Sequence, residues 1–336
     1  MEASEKLEIK KVLVKCPDGS DKAFSLFPFM EVLSEEFPGA EIFTISEESD
    51  SFAFNFLPFK VKAFERPRDK KNFLKTHQYC ANLHDIFNID VFFDLENNFN
   101  SSFMGYNFRS THRVGYETGW NKYFLNHKFK NDEAITLEKK SLRLLENYTG
   151  KYFNEVAISR SKGKGQEVEA IEQLFKLPEQ PSFVMIMLDN LDSVLKQVDI
   201  WKAFFDSFHN QKFIIFALEN EVEISELFSK IDLGHNSLYM HRGANSQELL
   251  YIMNKVKGVV VNNLWAEGLC TYVGMNHVSF MVHTNSMLPR YDHFKFKPQR
   301  FTFTPGAPIH YSYLDEERDY AAMNEIVDYL HFQFKL

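Results

Sequence analysis

The feature that most constrains this chain is a short β-rich run that passes through a turn into a helix and then into a second strand. Lys11-Val-Leu-Val-Lys-Cys16 ends at Pro17-Asp18-Gly19-Ser20-Asp21, after which Phe24, Phe27, Met30, Glu31 and Leu33 recur with helical spacing. The helix stops near Phe37-Pro38-Gly39, and Ala40-Glu-Ile-Phe-Thr-Ile45 follows as a strand. Such a β-α-β opening predicts a parallel sheet, because parallel neighbours need a crossover long enough to be a helix. A further helical stretch, Asn72 to Phe87, leads into Ile89-Asp-Val-Phe-Phe-Asp94-Leu, a strand whose C-terminal end carries acidic and amide residues. Open parallel sheets hold their ligands at that end.

The alternation restarts in the second half. Ser182 to Leu188, Lys212 to Leu218, Gly258 to Val261 and His277 to Val282 read as strands. Helices are expected around Ile200 to His209, Gln247 to Lys257 and Leu269 to Val273, the last of these at the end of a ligand-end loop, Asn262 to Gly274. Between the halves, Ser159-Arg-Ser-Lys-Gly-Lys-Gly-Gln166 is small, polar and basic, which suits a connector. Its Gly-Lys-Gly lacks the spacing of a phosphate loop. A chain of 336 residues is too long for one ordinary core. Two α/β domains are expected, residues 1–160 and 167–313. A helix from about Asp315 to Phe334, in the segment 314–336, has Tyr320, Met323, Ile326, Val327 and Leu330 on one face, and it is expected to pack back on the first domain.

Composition narrows the class further. No apolar run approaches the roughly 18 residues needed to cross a bilayer, and the charged N-terminus does not read as a secretory signal. A cytoplasmic location is the expectation. Cys16, Cys80 and Cys270 follow no metal or redox spacing and are expected to be buried thiols. A net charge of −8 argues against a protein that wraps nucleic acid. The 35 phenylalanines favour aromatic-rich cores and an apolar surface for a partner.

Few residues announce chemistry. Asp21, in the loop after the first strand, lies where a general base would meet a ligand, though Asp18, Ser20 and Asp21 are equally the residue types that cap a helix. Lys196 follows a strand and the acidic loop Asp189-Asn-Leu-Asp192, a place from which a lysine could touch a diphosphate, or simply face solvent. Asp94 and Glu96 share a face of a strand end, where solvated carboxylates are the ordinary outcome. The 12 histidines lack the spacing that sets two on one helical face, so no metal site and no cofactor are expected. A single Gly19 in the first loop does not make a dinucleotide-binding fingerprint.

Taken in order, these segments resemble the heptosyltransferase-like bacterial glycosyltransferases of family 9. Lys11-Val-Leu-Val-Lys15 through Ser20-Asp21, Phe27-Pro28 and Glu36-Phe-Pro-Gly-Ala-Glu-Ile42 looks like the family's opening strand, Gly-Asp loop and helix, with Ser20 in place of glycine. Asp90-Val-Phe-Phe-Asp94-Leu-Glu-Asn97 is similar to its Asp-Leu-Gln-Gly strand end, and Arg113-Val-Gly-Tyr116 to its Arg-Ile-Gly-Phe. In the second half, Met185 through Lys196 and Trp201 is similar to the segment with a donor-phosphate lysine, and Glu248 to Val261 to the helix and strand before the signature loop. That loop usually reads Asn-Asp-(Ser/Thr)-Gly, two residues, then His. Here it reads Asn262-Asn263-Leu264-Trp265-Ala266-Glu267-Gly268. A leucine and an indole stand where backbone amides would approach phosphate.

The resemblance implies two Rossmann-like domains facing each other across a cleft in the GT-B arrangement, and inverting transfer of a sugar from a nucleotide-sugar to a lipopolysaccharide-type or other glycan or lipid-linked acceptor. It implies Asp21 as catalytic base. It puts Lys196, Asn262, Asn263, Trp265, Glu267 and Gly268 on the donor side, and Ser20, Asn97 and Arg113 on the acceptor side. Peripheral contact with the inner membrane surface goes with such an acceptor. The substituted loop supports a second expectation, a catalytically inactive scaffold that binds a nucleotide, glycan or protein, with Trp265 available for stacking.

Overall fold

The computed structural model describes residues 9–19, 22–46, 51–65, 72–132, 134–153, 183–188, 202, 205–208, 211–217, 238–241, 246–282, 291, 293–294, 298–303, 310–313, 316–318 and 323–334. The chain divides into two compact units, Met1–Ser159 and Arg160–Leu336. The division falls at the start of the polar stretch expected to be a connector.

The first unit is one parallel sheet of β1 (Lys11–Lys15), β2 (Glu41–Ser46), β3 (Val61–Glu65), β4 (Val91–Asp94), β5 (His112–Glu117) and β6 (His127–Lys130), in the order β3-β2-β1-β4-β5-β6. Its helices are α1 (Phe27–Glu36), α2 (Phe73–Phe87), α3 (Phe99–Asn107) and α4 (Leu137–Thr149). Strand order reverses between β1 and β4, so the crevice that opens ligand sites in such sheets lies beyond Lys15 and Asp94, which are register partners. Aromatic packing fills the core: Phe43 stacks on Phe64 at 5.3 Å between centroids and meets Phe87 at 5.1 Å. Cys16, Cys80 and Cys270 are all buried, as expected.

α3 is built from weak helix formers and is fixed by its ends and its packing. Asn98 accepts from Ser101 N while the Ser101 hydroxyl accepts from Asn98 N, a reciprocal cap. Gly105 lets the helix lie against β4, where a Cβ would come within 2.5 Å of the Phe92 ring.

The second unit repeats this topology. Its sheet runs β14-β13-β12-β11-β10-β7-β8-β9, formed by β7 (Phe183–Leu188), β8 (Lys212–Ala217), β9 (Leu238–His241), β10 (Val256–Val261), β11 (His277–Val282), β12 (Gln299–Phe303), β13 (His310–Tyr313) and β14 (Glu316–Arg318). The strands from β9 through β12 are parallel and reverse order between β7 and β10, while β13 and β14 extend the edge antiparallel. The described helices of this unit are α5 (Ser246–Asn254), α6 (Leu264–Val273) and α7 (Met323–Phe334).

Two sequence expectations need correction here. The stretch from Asn262 to Gly274 is not a loop leading to a helix at Leu269: α6 starts at Leu264, capped by Asn263 and closed by Gly274 at φ 73°. The last helix does not begin near Asp315: Glu316–Arg318 is β14, and α7 runs Met323–Phe334. Phe334 packs on Gly258 of β10 so closely that a Cβ there would overlap its ring, and His331 lies 4.8 Å from Phe208. Leu330 and Phe334 are its buried face.

Candidate functional site

Each unit presents a switch point between its two central strands, and the chemistry of the two can be built from the same positions. In the first unit, Lys15 ends β1 fully buried. Its ammonium donates to Cys16 O at 2.5 Å and pairs with Glu96 Oε2 at 2.9 Å and Asp18 Oδ1 at 3.6 Å. Leu95 N donates to Lys15 O at 3.1 Å, so backbone and side chain both tie the β4 loop to the β1 loop. A buried ammonium is tolerated because carboxylates and a carbonyl surround it.

Asp94, the last residue of β4, is also fully buried, and not solvated as its type suggests. Its carboxylate accepts from Ser102 Oγ at 2.5 Å and Asn97 N at 3.0 Å. Burial pushes the Asp94 carboxyl above the ordinary range, opposed by the bonds from Ser102, Ser101 and Asn97. Glu96 is only 11% exposed at its side chain.

Ser20 and Asp21 lie outside the described residues. On either side of them, Lys22 N donates to Gly19 O at 2.9 Å and Lys22 Nζ to Asp18 O at 2.7 Å. Asn97 does sit at this end of the sheet, in the left-handed region at φ 57°, where asparagine is among the residues that tolerate it. Its side chain is committed to backbone: Oδ1 accepts from Tyr116 N at 3.1 Å and Nδ2 donates to Leu95 O at 3.4 Å.

Arg113, expected on the acceptor side, braces the fold through its backbone bonds. It stands near the start of β5, and its guanidinium donates to Ser110 O at 2.8 Å and Phe124 O at 2.7 Å, beside the Tyr106 ring at 5.9 Å. Strands point their starts away from the ligand end, which is why an arginine in a motif there serves the fold.

At the second switch point, Asn262 N donates to Met187 O at 3.4 Å, and Asn263 Nδ2 reaches the same carbonyl at 3.5 Å. Asn263 Oδ1 accepts from Ala266 N at 2.7 Å, capping α6. Asn263 remains partly exposed, whereas every residue from Trp265 to Val273 is buried.

Three residues expected on the donor side lie in the interior. Trp265 is 2% exposed and has no face for a base to stack on. Gly268 is interior to the helix. Glu267 forms a two-pronged pair with Arg300, Nε to Oε2 at 2.8 Å and Nη2 to Oε1 at 2.5 Å, with no exposed carboxylate surface. A helix apolar on every side is driven into the interior, and it takes these residues with it. Lys196 lies outside the described residues. Among the described residues no group of three or more His, Cys, Asp and Glu could hold a metal ion, and no helix is long and apolar enough to cross a membrane.

Lys15 and Arg300 were missed in the sequence. A lysine closing an apolar strand at its ligand end was the available signal for the first; nothing local marks Arg300, which meets Glu267 across 33 residues.

No family model and no curated protein sequence matches the chain. Solved structures do. A glycosyl transferase family 9 protein from Veillonella parvula is 11% identical, with 98% of each chain covered and a TM-score of 0.69. Escherichia coli ADP-heptose lipopolysaccharide heptosyltransferase II is 12% identical over 97% of this chain and 98% of its own, with a TM-score of 0.69. E. coli heptosyltransferase WaaC with ADP is 12% identical over 96% and 99%, with a TM-score of 0.66. The chain thus has the fold of the family 9 glycosyltransferases.

Proposed function

We propose that the protein is a glycosyltransferase that moves a sugar from a nucleotide-sugar donor to a glycan or lipid-linked acceptor, with inversion at the sugar carbon. The observation that carries this reading is the fold likeness itself, which runs over 98% of both chains and so takes in both units. One of the similar structures is described with ADP, which makes ADP-sugars the first donors to try.

In the proposed reaction an acceptor hydroxyl oxygen attacks the anomeric carbon while the bond to the diphosphate oxygen breaks. Asp21 takes the hydroxyl proton, and Lys196 offsets charge on the leaving diphosphate. Ser20 and Asn97 flank the acceptor, Asn97 by shaping the loop. Asn262 and Asn263 border the donor, where their amides replace a charged side chain. The protein would work on the cytoplasmic side, in contact with the membrane that holds its acceptor.

A second reading, an inactive scaffold that binds a nucleotide, glycan or protein, is favoured by the burial of Trp265 and Glu267 in the segment where a donor would sit. Calorimetric titration with ADP-, UDP- and GDP-sugars separates the two. Transferase function predicts that one of them binds and is hydrolysed or transferred, and that Asp21→Ala abolishes turnover without loss of binding. If none binds at millimolar concentration, the transferase reading is wrong.

A further inference from the structure

His112 opens β5 and His127 opens β6, the edge strand of the first sheet. Both lie at strand starts, away from the ligand end of the sheet, so they belong to neither switch point. His127 is the register partner of Val114, which is two residues on from His112 and on the same face, and this sets the two imidazoles diagonally across the ladder. His112 Nδ1 lies 2.9 Å from His127 Nε2, and the half-buried rings are 4.8 Å apart and within 17° of parallel. At that separation one nitrogen carries a hydrogen and the other accepts it.

Tyr148, near the end of α4, closes over the pair. Its ring meets His112 at 5.7 Å and His127 at 5.2 Å, edge-on in each case, and Phe93 of β4 at 5.4 Å. Three strands and a helix thus converge on one contact. Among the described strands β6 pairs with β5 alone, and α4 is the last described element before the chain leaves the first unit.

The charged and titratable groups around the pair come from each of these elements. Burial holds both histidines below their ordinary value of 6.5. For His127 the charges of His112 and Arg113 add to this, whereas for His112 the Asp90 carboxylate, before β4, opposes it. That carboxylate is also engaged by the amides of Lys10 and Lys11, at 2.8 and 2.9 Å. The Tyr148 hydroxyl, pushed up to about 12 by burial, stays neutral.

We propose that the His112–His127 pair is a pH-sensitive latch, which fastens the edge strand β6 and the end of α4 to the sheet until both rings are protonated. One added proton keeps the bond, because an imidazolium then donates to an imidazole. A second puts a hydrogen on each of the facing nitrogens, so neither can accept, and it sets two cations against each other beside Arg113. The opened form hydrates both rings and takes that proton more readily. With the native values lowered, the hold is present above 6.5 and is lost as pH falls through them. The opening is local, since an edge strand with one ladder gives way before the centre of the sheet.

Hydrogen exchange of the full chain tests the latch, with rates expressed as protection so that the intrinsic effect of pH is removed. Between pH 7 and 5, protection of the His127–Lys130 amides is expected to fall about tenfold for each unit by which the second proton's native value is lowered. Lys11–Lys15, at the centre of the sheet, should keep its protection. His127→Gln retains a group that donates or accepts but takes no proton, and should abolish the fall. Nuclear magnetic resonance of the wild-type imidazoles gives a second measure that needs no variant: two coupled steps, each seen at both rings, with the second below 6.5. Equal loss of protection throughout the sheet, an undiminished fall in His127→Gln, or two histidines that titrate independently overturns the proposal. Neither measurement involves a sugar-nucleotide, so the latch stands or falls apart from the transferase reading.

Discussion

Among the described residues, the two switch points are built from equivalent positions and carry different chemistry. Lys15 and Asp94 are register partners across β1 and β4, as Met187 and Val261 are across β7 and β10. Two residues beyond the second partner stand Glu96 in one case and Asn263 in the other. The first unit brings an ammonium and three carboxylates, Asp18, Asp94 and Glu96, to its ligand end. Among the described residues the second has apolar strand ends and amides there, and keeps its charged pair, Glu267 with Arg300, inside. Fold likeness alone would predict two similar sites. The difference shows that the scaffold fixes where a ligand could meet each sheet, and the residues fix what that end can do.

If that contrast is right, the largest stability effect should come from the second unit. Arg300→Ala leaves the Glu267 carboxylate buried without its partner, and should cost about 3–5 kcal/mol in denaturant unfolding. Lys15→Met removes the matching cation of the first unit. Glu96 keeps 11% of its side chain in contact with water and can rehydrate, so the cost should fall at or below the low end, about 3 kcal/mol. An equal or reversed order would remove the distinction between a rim cluster and an interior pair.

Next in size is Gly258→Ala. Its Cβ would overlap the Phe334 ring, and overpacking of this kind costs about 1–3 kcal/mol. Phe334→Leu in the same chain should recover part of the loss, measured as the midpoint of thermal unfolding. Absence of recovery would place the last helix elsewhere.

Much of both sheets was legible because apolar runs such as Leu13-Val14 and Val259-Val260-Val261 bounded by turn residues have few other homes. What was missed has identifiable causes. β6, His-Lys-Phe-Lys, reads as polar because it is an edge strand with one face in solvent. β13, His-Tyr-Ser-Tyr, has no apolar run, and the helical periodicity beyond it hid both β13 and β14. α3 contradicts its own propensities and depends on a reciprocal cap and the contact at Gly105. The start of α6 was misplaced although Asn263 followed by an acidic first turn is a helix-start pattern. Of the site, the positions of Asn97 and Asn263 were legible; the partners of Glu267 and Arg113 were not, because long-range pairing leaves no periodic trace.

Asn263 sharpens the comparison at smaller magnitude. Asn263→Ala should cost about 1 kcal/mol through loss of the α6 cap, whereas Asn263→Asp keeps the cap and suits the helix dipole but gives up the Nδ2 bonds to Met187 O and Asn262 Oδ1. Asn263→Asp therefore tests donor binding with the cap kept: a gain in sugar-nucleotide affinity, measured beside the change in unfolding, would mean that this one position limits the second switch point.

The smallest effect is one of pH. His277 opens β11 in the interior, with Nδ1 set 2.9 Å from Met275 O and Nε2 3.4 Å from the Thr271 hydroxyl. Burial holds it below its ordinary value of 6.5, and the Arg300 charge adds to that, while the Met275 bond and Glu267 oppose it. The folded state thus resists a proton that the unfolded chain accepts. The stability His277 contributes is present above 6.5 and is lost as pH falls through its lowered native value. His277→Gln should flatten that part of the stability profile between pH 7 and 5. Asp94 has the reverse sign: raised by burial, its contribution is present at low pH and lost as pH rises through the native value, so Asp94→Asn should flatten the profile on the rising side. If both variants changed the same limb, the two switch points would be electrostatically coupled instead of separately built.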